Sequence, residues 1–271
     1  MGDLYLKPQR GSDAVLRGLS PNIWSQSPLT QLSVGGLDEG FGFIDDFLST
    51  TIAIAESGGA ADGSDAAQIG QWLLTQATAG TALQDPAAKG GVLLLDSASS
   101  TNNQGAQIQL GGNGIAAASF IPNANAKIYY EARIKLADIG STTVQAFAGL
   151  SEVDSTLFAS AANSSANHVG YEAINTTALA IHSEKAGSRS STSGVHTLVD
   201  DAYVKVGFVI DGLTKITPYV NGVAKDTITT NIPIVEMTPS FVCHSSGTTD
   251  PIMHIDWVAC WCYLSVRYDV S

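Results

Sequence analysis

Between Lys127 and Leu136 the chain reads KIYYEARIKL. In an extended backbone this puts Ile128, Tyr130, Ala132, Ile134 and Leu136 on one side and Glu131, Arg133 and Lys135 on the other. A helix would scatter both sets around its circumference, whereas a strand changes side at every residue. Tyr203 to Ile210 repeats the pattern, with Val204, Val206, Phe208 and Ile210 set against Lys205. Such segments require half-buried strands in a sheet that rests one face on a core.

The rest of the chain from Val92 onward follows the same logic. Lys215 to Val220 runs into Asn221-Gly222, a pair that tolerates the positive φ of a tight hairpin turn, and Val223 to Ile228 returns. Pro218 lacks a ladder donor, which places its strand at an edge or turns its nitrogen away from a partner. Ile252 to Leu264 is apolar on both faces and is expected to be central and covered on both sides, with Trp257 and Trp261 pointing together into the core. Polar connections at 155–167 and 183–194 separate the strands. Only Asp65 to Thr78, with Ala66, Ile69, Trp72 and Leu73, leaves room for one short helix or a long loop.

Residues 1–50 read differently. Pro8, Pro21 and Pro28 and several glycines interrupt any regular element, yet Leu4, Leu6, Val15, Leu16, Leu19, Ile23, Trp24, Leu29 and Leu32 recur as apolar anchors. The pattern fits an extended arm that lies on another surface, or one that wraps its own domain. The chain thus divides into an arm, 1–50, and a sandwich domain, 51–271.

Charged residues make up only 14% of the 271 residues, below the roughly 25% of ordinary soluble domains. The surface must be largely hydroxyl, amide and glycine, which suits contact with other protein. The formal net charge of -12 argues against nucleic acid and against an anionic membrane as partner. No stretch approaches the roughly 18 apolar residues that span a bilayer, so a product made in the cytoplasm is expected. Three cysteines, Cys243, Cys260 and Cys262, offer no disulfide framework and are expected as buried thiols.

The ordered series GGVLLLDSASSTNNQGAQIQL, KIYYEARIKL, AFAGLSEVD, YVKVGFVIDG, ITPYVNGV, MTPSF and HIDWVACW resembles the concanavalin-like lectin/glucanase superfamily over roughly Trp72 to Tyr263. It is most similar to the versions found in virion proteins of tailed bacteriophages, where a sequence like Gly42-Phe-Ile-Asp-Asp-Phe47 precedes the sandwich. The resemblance implies an all-β fold, a two-sheet jelly-roll sandwich with an extended N-terminal arm. Lectins, laminin-G modules, glycosidases and capsid decoration proteins share that fold, so sites must decide function.

Glucanases of the superfamily take their carboxylates from one strand with the pattern Glu-x-Asp-x-x-Glu, and a retaining mechanism needs two of them about 5 Å apart. Here Glu152-Val-Asp-Ser-Thr-Leu157 ends on Leu157, so the acid/base is missing and the chain is expected not to be an enzyme. Glu152 and Asp154 remain as contacts for a glycan or a cation. Asp200, Asp201, Asp211 and Asp250 are scattered on turns rather than gathered for calcium. Cys243, His244, His254, Cys260 and Cys262 lack zinc spacing. No nucleophile elbow or phosphate loop occurs, and no cofactor is expected.

The expected function is therefore a non-enzymatic virion structural protein, a capsid decoration (cement) protein on the head exterior. Leu16, Leu19, Ile23, Trp24 and Leu29 would pin it to the major capsid protein. A homo-oligomer, trimer favoured, is expected. The alternative is a carbohydrate-binding, lectin-like module of a phage fibre or secreted protein.

Overall fold

A computed structural model describes residues 18–25, 27, 40–48, 66–69 and 71–264, with short breaks at 78–79, 89, 99, 102–103, 113–114, 117–119, 141–143, 155–156, 160–161 and 164–165. A single-turn helix α1 (Pro21–Trp24) is followed by β1 (Gly40–Asp45), β2 (Ala66–Ile69), β3 (Trp72–Ala77), β4 (Thr81–Gln84), β5 (Leu93–Asp96), β6 (Gly105–Gly112) and β7 (Ile115–Ala116). Next come β8 (Ala126–Ala137), β9 (Val144–Ser151), β10 (Phe158–Ala159), β11 (Ala162–Asn163), β12 (His168–Ile174) and β13 (Ala178–Lys185). The last are β14 (Ser188–Thr197), β15 (Ala202–Asp211), β16 (Lys215–Val220), β17 (Val223–Ala224), β18 (Thr238–Ser245) and β19 (Ile252–Leu264).

Two antiparallel sheets form a sandwich. Sheet A runs β17-β16-β15-β8-β19-β5-β4, with β1 also paired to β19. Sheet B runs β14-β13-β12-β9-β18-β6-β3-β2, with β7 on β6. The alternations read from β8 and β15 hold: Ile128, Tyr130, Ile134, Val206, Phe208 and Ile210 face sheet B and are buried. Tyr130 stacks on Phe208 at 4.9 Å. Asn221 (φ 50°) and Gly222 (φ 76°) make the expected hairpin turn.

Four expectations change. The polar stretch 183–194, expected as a connection, is the end of β13 and most of β14, paired as a hairpin. The segment from Asp65 contains no helix among its described residues; β2 and β3 form a hairpin, because Trp72 and Leu74 alternate into the core. The boundary at residue 50 also moves, since Gly40–Asp45 pairs with Val258–Tyr263 as part of sheet A.

The last change concerns β19. It is central, but its register on β8 slips between Ile255 and Trp257. One extra residue reverses which side chains face inward. Met253 and Ile255 point into the core before the bulge, and Val258, Cys260 and Cys262 after it. Trp257 and Trp261 are thereby turned to the outer face, in a separate cluster with Trp24, Tyr129 and Ala259. All three thiols are free and buried, and burial pushes each well above its ordinary pKa, so they are inert packing groups.

Candidate functional site

The outer face of sheet A is closed by the chain itself. Glu131, outward-facing in β8, is fully buried. Its Oε2 accepts hydrogen bonds from the Ser20 amide at 2.9 Å and from Trp24 Nε1 at 2.8 Å. Its Oε1 lies 3.8 Å from Lys205 Nζ, and that ammonium donates to the Gly18 carbonyl at 2.8 Å. Asn22 Nδ2 donates to the Gly222 carbonyl at 2.8 Å. A Cβ on Gly207 would meet Ile23 Cδ1 at 2.7 Å, so the glycine is a notch for that side chain. Of the proposed capsid anchors, Ile23 and Trp24 are therefore packed on their own sandwich, because this face offers them both apolar contact and buried acceptors. Leu19 is 38% exposed, and Leu16 and Leu29 lie outside the described residues.

The outer face of sheet B carries titratable groups instead. Strand alternation in β12 puts His168, Gly170 and Glu172 on this side, and in β13 His182 and Glu184. Glu172 is almost fully buried and is flanked by His168 Nε2 at 2.9 Å, His182 Nε2 at 3.7 Å and Arg189 at 3.2 Å. Arg189, on edge strand β14, also reaches Glu184 through two nitrogens. His168 Nδ1 faces the Ala166 carbonyl at 2.8 Å. Both His168 nitrogens thus face oxygen atoms, Glu172 Oε1 on one side and the Ala166 carbonyl on the other.

Burial pushes the Glu172 carboxyl up, but the His168 hydrogen bond and the charges of His168, His182 and Arg189 outweigh it and hold the group below its ordinary value. Burial lowers His182, with Glu172 pulling the other way. Further along the face, burial alone pushes His244 down to about 4. Perturbed groups gathered on one face mark a candidate site. The rim is reachable: the side chains of His182 and Arg189 are 15% and 24% exposed, and Ser191, exposed, stands opposite His182.

Glu152 lies beside this cluster through Asn167, Asp154 lies over β6, and neither joins it. Glu152 Oε2 accepts from the Asn167 amide at 2.9 Å and from Asn167 Nδ2 at 2.7 Å. The Asp154 amide donates to Gln109 Oε1 at 3.0 Å, and its carbonyl accepts from Gln107. Leu157 seats on Phe147 and Val242 while its amide donates to Gln107 Oε1. Phe147 in turn lies over Gly170, where a Cβ would meet its ring at 2.5 Å. The two glutamines thus clamp the connection after β9 onto the sheet. No group of three or more His, Cys, Asp or Glu among the described residues is arranged for a metal, and no described helix is long and apolar enough to cross a membrane.

No protein-family model matches the chain, and no curated protein does. Solved structures do. A protein of unknown function from Shewanella oneidensis MR-1 aligns with TM-score 0.54 and 12% identity over 86% of this chain and 90% of that one. The carbohydrate recognition domain of Emp47p aligns with TM-score 0.53 and 9% identity over 85% and 99%. The endo-1,3-β-glucanase from Streptomyces sioyaensis aligns with TM-score 0.50 and 15% identity over 81% and 95%.

The architecture is a concanavalin-like jelly-roll sandwich. The expectation that the chain is not an enzyme is corrected by the same comparison, because an endo-glucanase is built on this fold. Leu157 removes one carboxylate from one sequence pattern. It leaves standing the buried Glu172 cluster, which that pattern never addressed.

Sequence reasoning passed over Glu172, His182, Glu184 and Arg189. The available signal was the spacing of His168 and Glu172 in HVGYEAI, where one face of an otherwise apolar strand carries two titratable groups. What no local pattern shows is that β13 and β14 bring His182 and Arg189 beside them.

Proposed function

We propose that this chain recognises carbohydrate on the outer face of sheet B, at the rim formed by β12, β13 and β14. The observation that carries this reading is the Glu172–His168–His182–Arg189 cluster, a fixed set of charged donors and acceptors whose outer members reach solvent beside serine hydroxyls. Sugars are bound through such convergent polar groups held by a rigid scaffold. Arg189 is already balanced by Glu172 and Glu184, so the site suits a neutral glycan better than an anionic one. The glucanase and the carbohydrate recognition domain among the similar structures make β-1,3-glucan oligosaccharides the first probes. The test is a glycan array on the full chain, with release of reducing ends from retained glycans measured in parallel. Retention of neutral glycans is expected; an array on which nothing is retained overturns the reading.

The second reading, a phage head decoration protein bound to the major capsid protein, is favoured by a different observation. Ile44 and Leu48, at and just after β1, are 59% and 61% exposed, on a chain with few surface charges. Ile23 and Trp24 no longer support it. Cosedimentation with capsids tests it, and Ile44→Ser with Leu48→Ser should abolish any binding seen.

A further inference from the structure

One row of residues crosses the outer face of sheet B, running Ser191, His182, Gly170, Gly149, Ser240 and Gln109 from β14 to β6. Its two ends differ. At one end β14 is the edge of the sheet, with Ser191 exposed and the His182 side chain 15% exposed. From Gly170 onward the row is covered by the chain itself. The Phe147 ring rests on both glycines, where a Cβ would meet it at 2.5 Å on Gly170 and at 3.1 Å on Gly149. Leu157 packs on Phe147 in turn. Gln109, buried at the far end, spends its side chain on Ser151, Ser240, the Glu152 carbonyl and the Asp154 amide.

This cover is tied down from several strands at once. Gln107 and Gln109 in β6 hold main-chain groups of Glu152, Asp154 and Leu157. The Glu152 amide donates to the Asn167 carbonyl at 2.9 Å, and Asn167 Oδ1 accepts from the Ala186 amide, in the turn between β13 and β14, at 2.7 Å. The connection after β9 is thus a wall across the face. What stays uncovered runs from β12 to β14, two strand spacings or about 10 Å, the length of a hexose ring or two. A sugar inside a polysaccharide must let the chain leave on both sides, and this trough has one exit. A terminal sugar needs only one.

We infer that the site takes the end of a glycan chain and excludes chain interiors. The last ring lies against Phe147 and the wall after β9, and the rest of the glycan leaves over β14. This rests on the carbohydrate reading above and adds which part of the polymer is recognised.

Calorimetric titration of the full wild-type chain with linear β-1,3-glucans of increasing length tests it. One protein per glucan chain is expected whatever the length, because a linear chain has a single end of each kind. A stoichiometry that climbs with length overturns the inference and leaves the carbohydrate reading standing. Absence of binding to every glucan overturns both. Blocking each end in turn with a bulky aryl group separates reducing from non-reducing ends: one block should abolish binding and the other should be tolerated. Binding that survives both blocks overturns the inference. A nitroxide on the tolerated end should broaden the amide signals of Ser188 to Thr192 in β14 and spare those of Leu157 and Asn167, and the opposite pattern overturns the inference as well.

Discussion

Glu131 in β8 and Glu172 in β12 occupy similar places in the two sheets. Each sits mid-strand, faces away from the core and is nearly inaccessible. Their partners differ. Glu131 is held by a backbone amide, an indole and a lysine that itself binds the arm, so its carboxylate fixes a segment of chain. Glu172 is held by two histidines and an arginine from its own sheet, and no distant segment is needed to complete it. The comparison separates a carboxylate that fastens structure from one that organises a reachable polar rim. A substitution on one face should therefore spare the other.

The largest effect is expected from Glu131→Ala. Removing one partner of a buried charged group leaves the rest uncompensated, and the loss should be about 3–5 kcal/mol by urea unfolding. A loss below about 1 kcal/mol would mean that the arm contributes nothing to the closed face. Next is Trp24→Ala, which empties a buried aromatic site and should cost roughly 3 kcal/mol. Tryptophan fluorescence should shift to the red as Trp261 is uncovered. An unchanged melting temperature would return Trp24 to the role of an anchor for a partner.

A smaller, pH-dependent effect belongs to sheet B. The folded-state pKa values of His182 and His244 lie below 6.5 and that of Glu172 below 4.5. A depressed pKa means that the unfolded chain binds more protons, so the stability it contributes is present above the unfolded value and is lost as pH falls. Stability should decline first between 6.5 and about 4 through the histidines, then further below 4.5 through Glu172. His254 on sheet A is lowered by burial as well, so the assignment rests on variants. His244→Gln should flatten the slope of unfolding free energy against pH above about 4. An unaltered slope would remove His244 from the account.

Most of the fold was legible because alternation in β8 and β15 depends only on local chemistry. The reading failed where one residue altered phase. The bulge before Trp257 cannot be seen in HIDWVACW, and without it Trp257 and Trp261 would line the core. The arm was legible as a set of apolar anchors but not as to what they touch, since their acceptors are more than a hundred residues away in β8 and β15. The site was the least legible part. Glu152 and Asp154 stand out in the sequence because a known pattern runs through them, whereas Glu172 gains its meaning only from the pairing of β12 with β13 and of β13 with β14.

The smallest change, and the most direct test of carbohydrate recognition at the sheet B rim, is Arg189→Lys. It keeps the charge that balances Glu172 and Glu184 but removes the planar fork. Calorimetric titration of the full chain with a β-1,3-glucan oligosaccharide should show binding in the wild type and in Trp24→Ala alike. Binding to Arg189→Lys should be about tenfold weaker, the worth of one charge-assisted hydrogen bond, with a single cooperative melting transition retained. Loss of binding in Trp24→Ala together with full affinity in Arg189→Lys would place recognition on the opposite sheet and contradict the account.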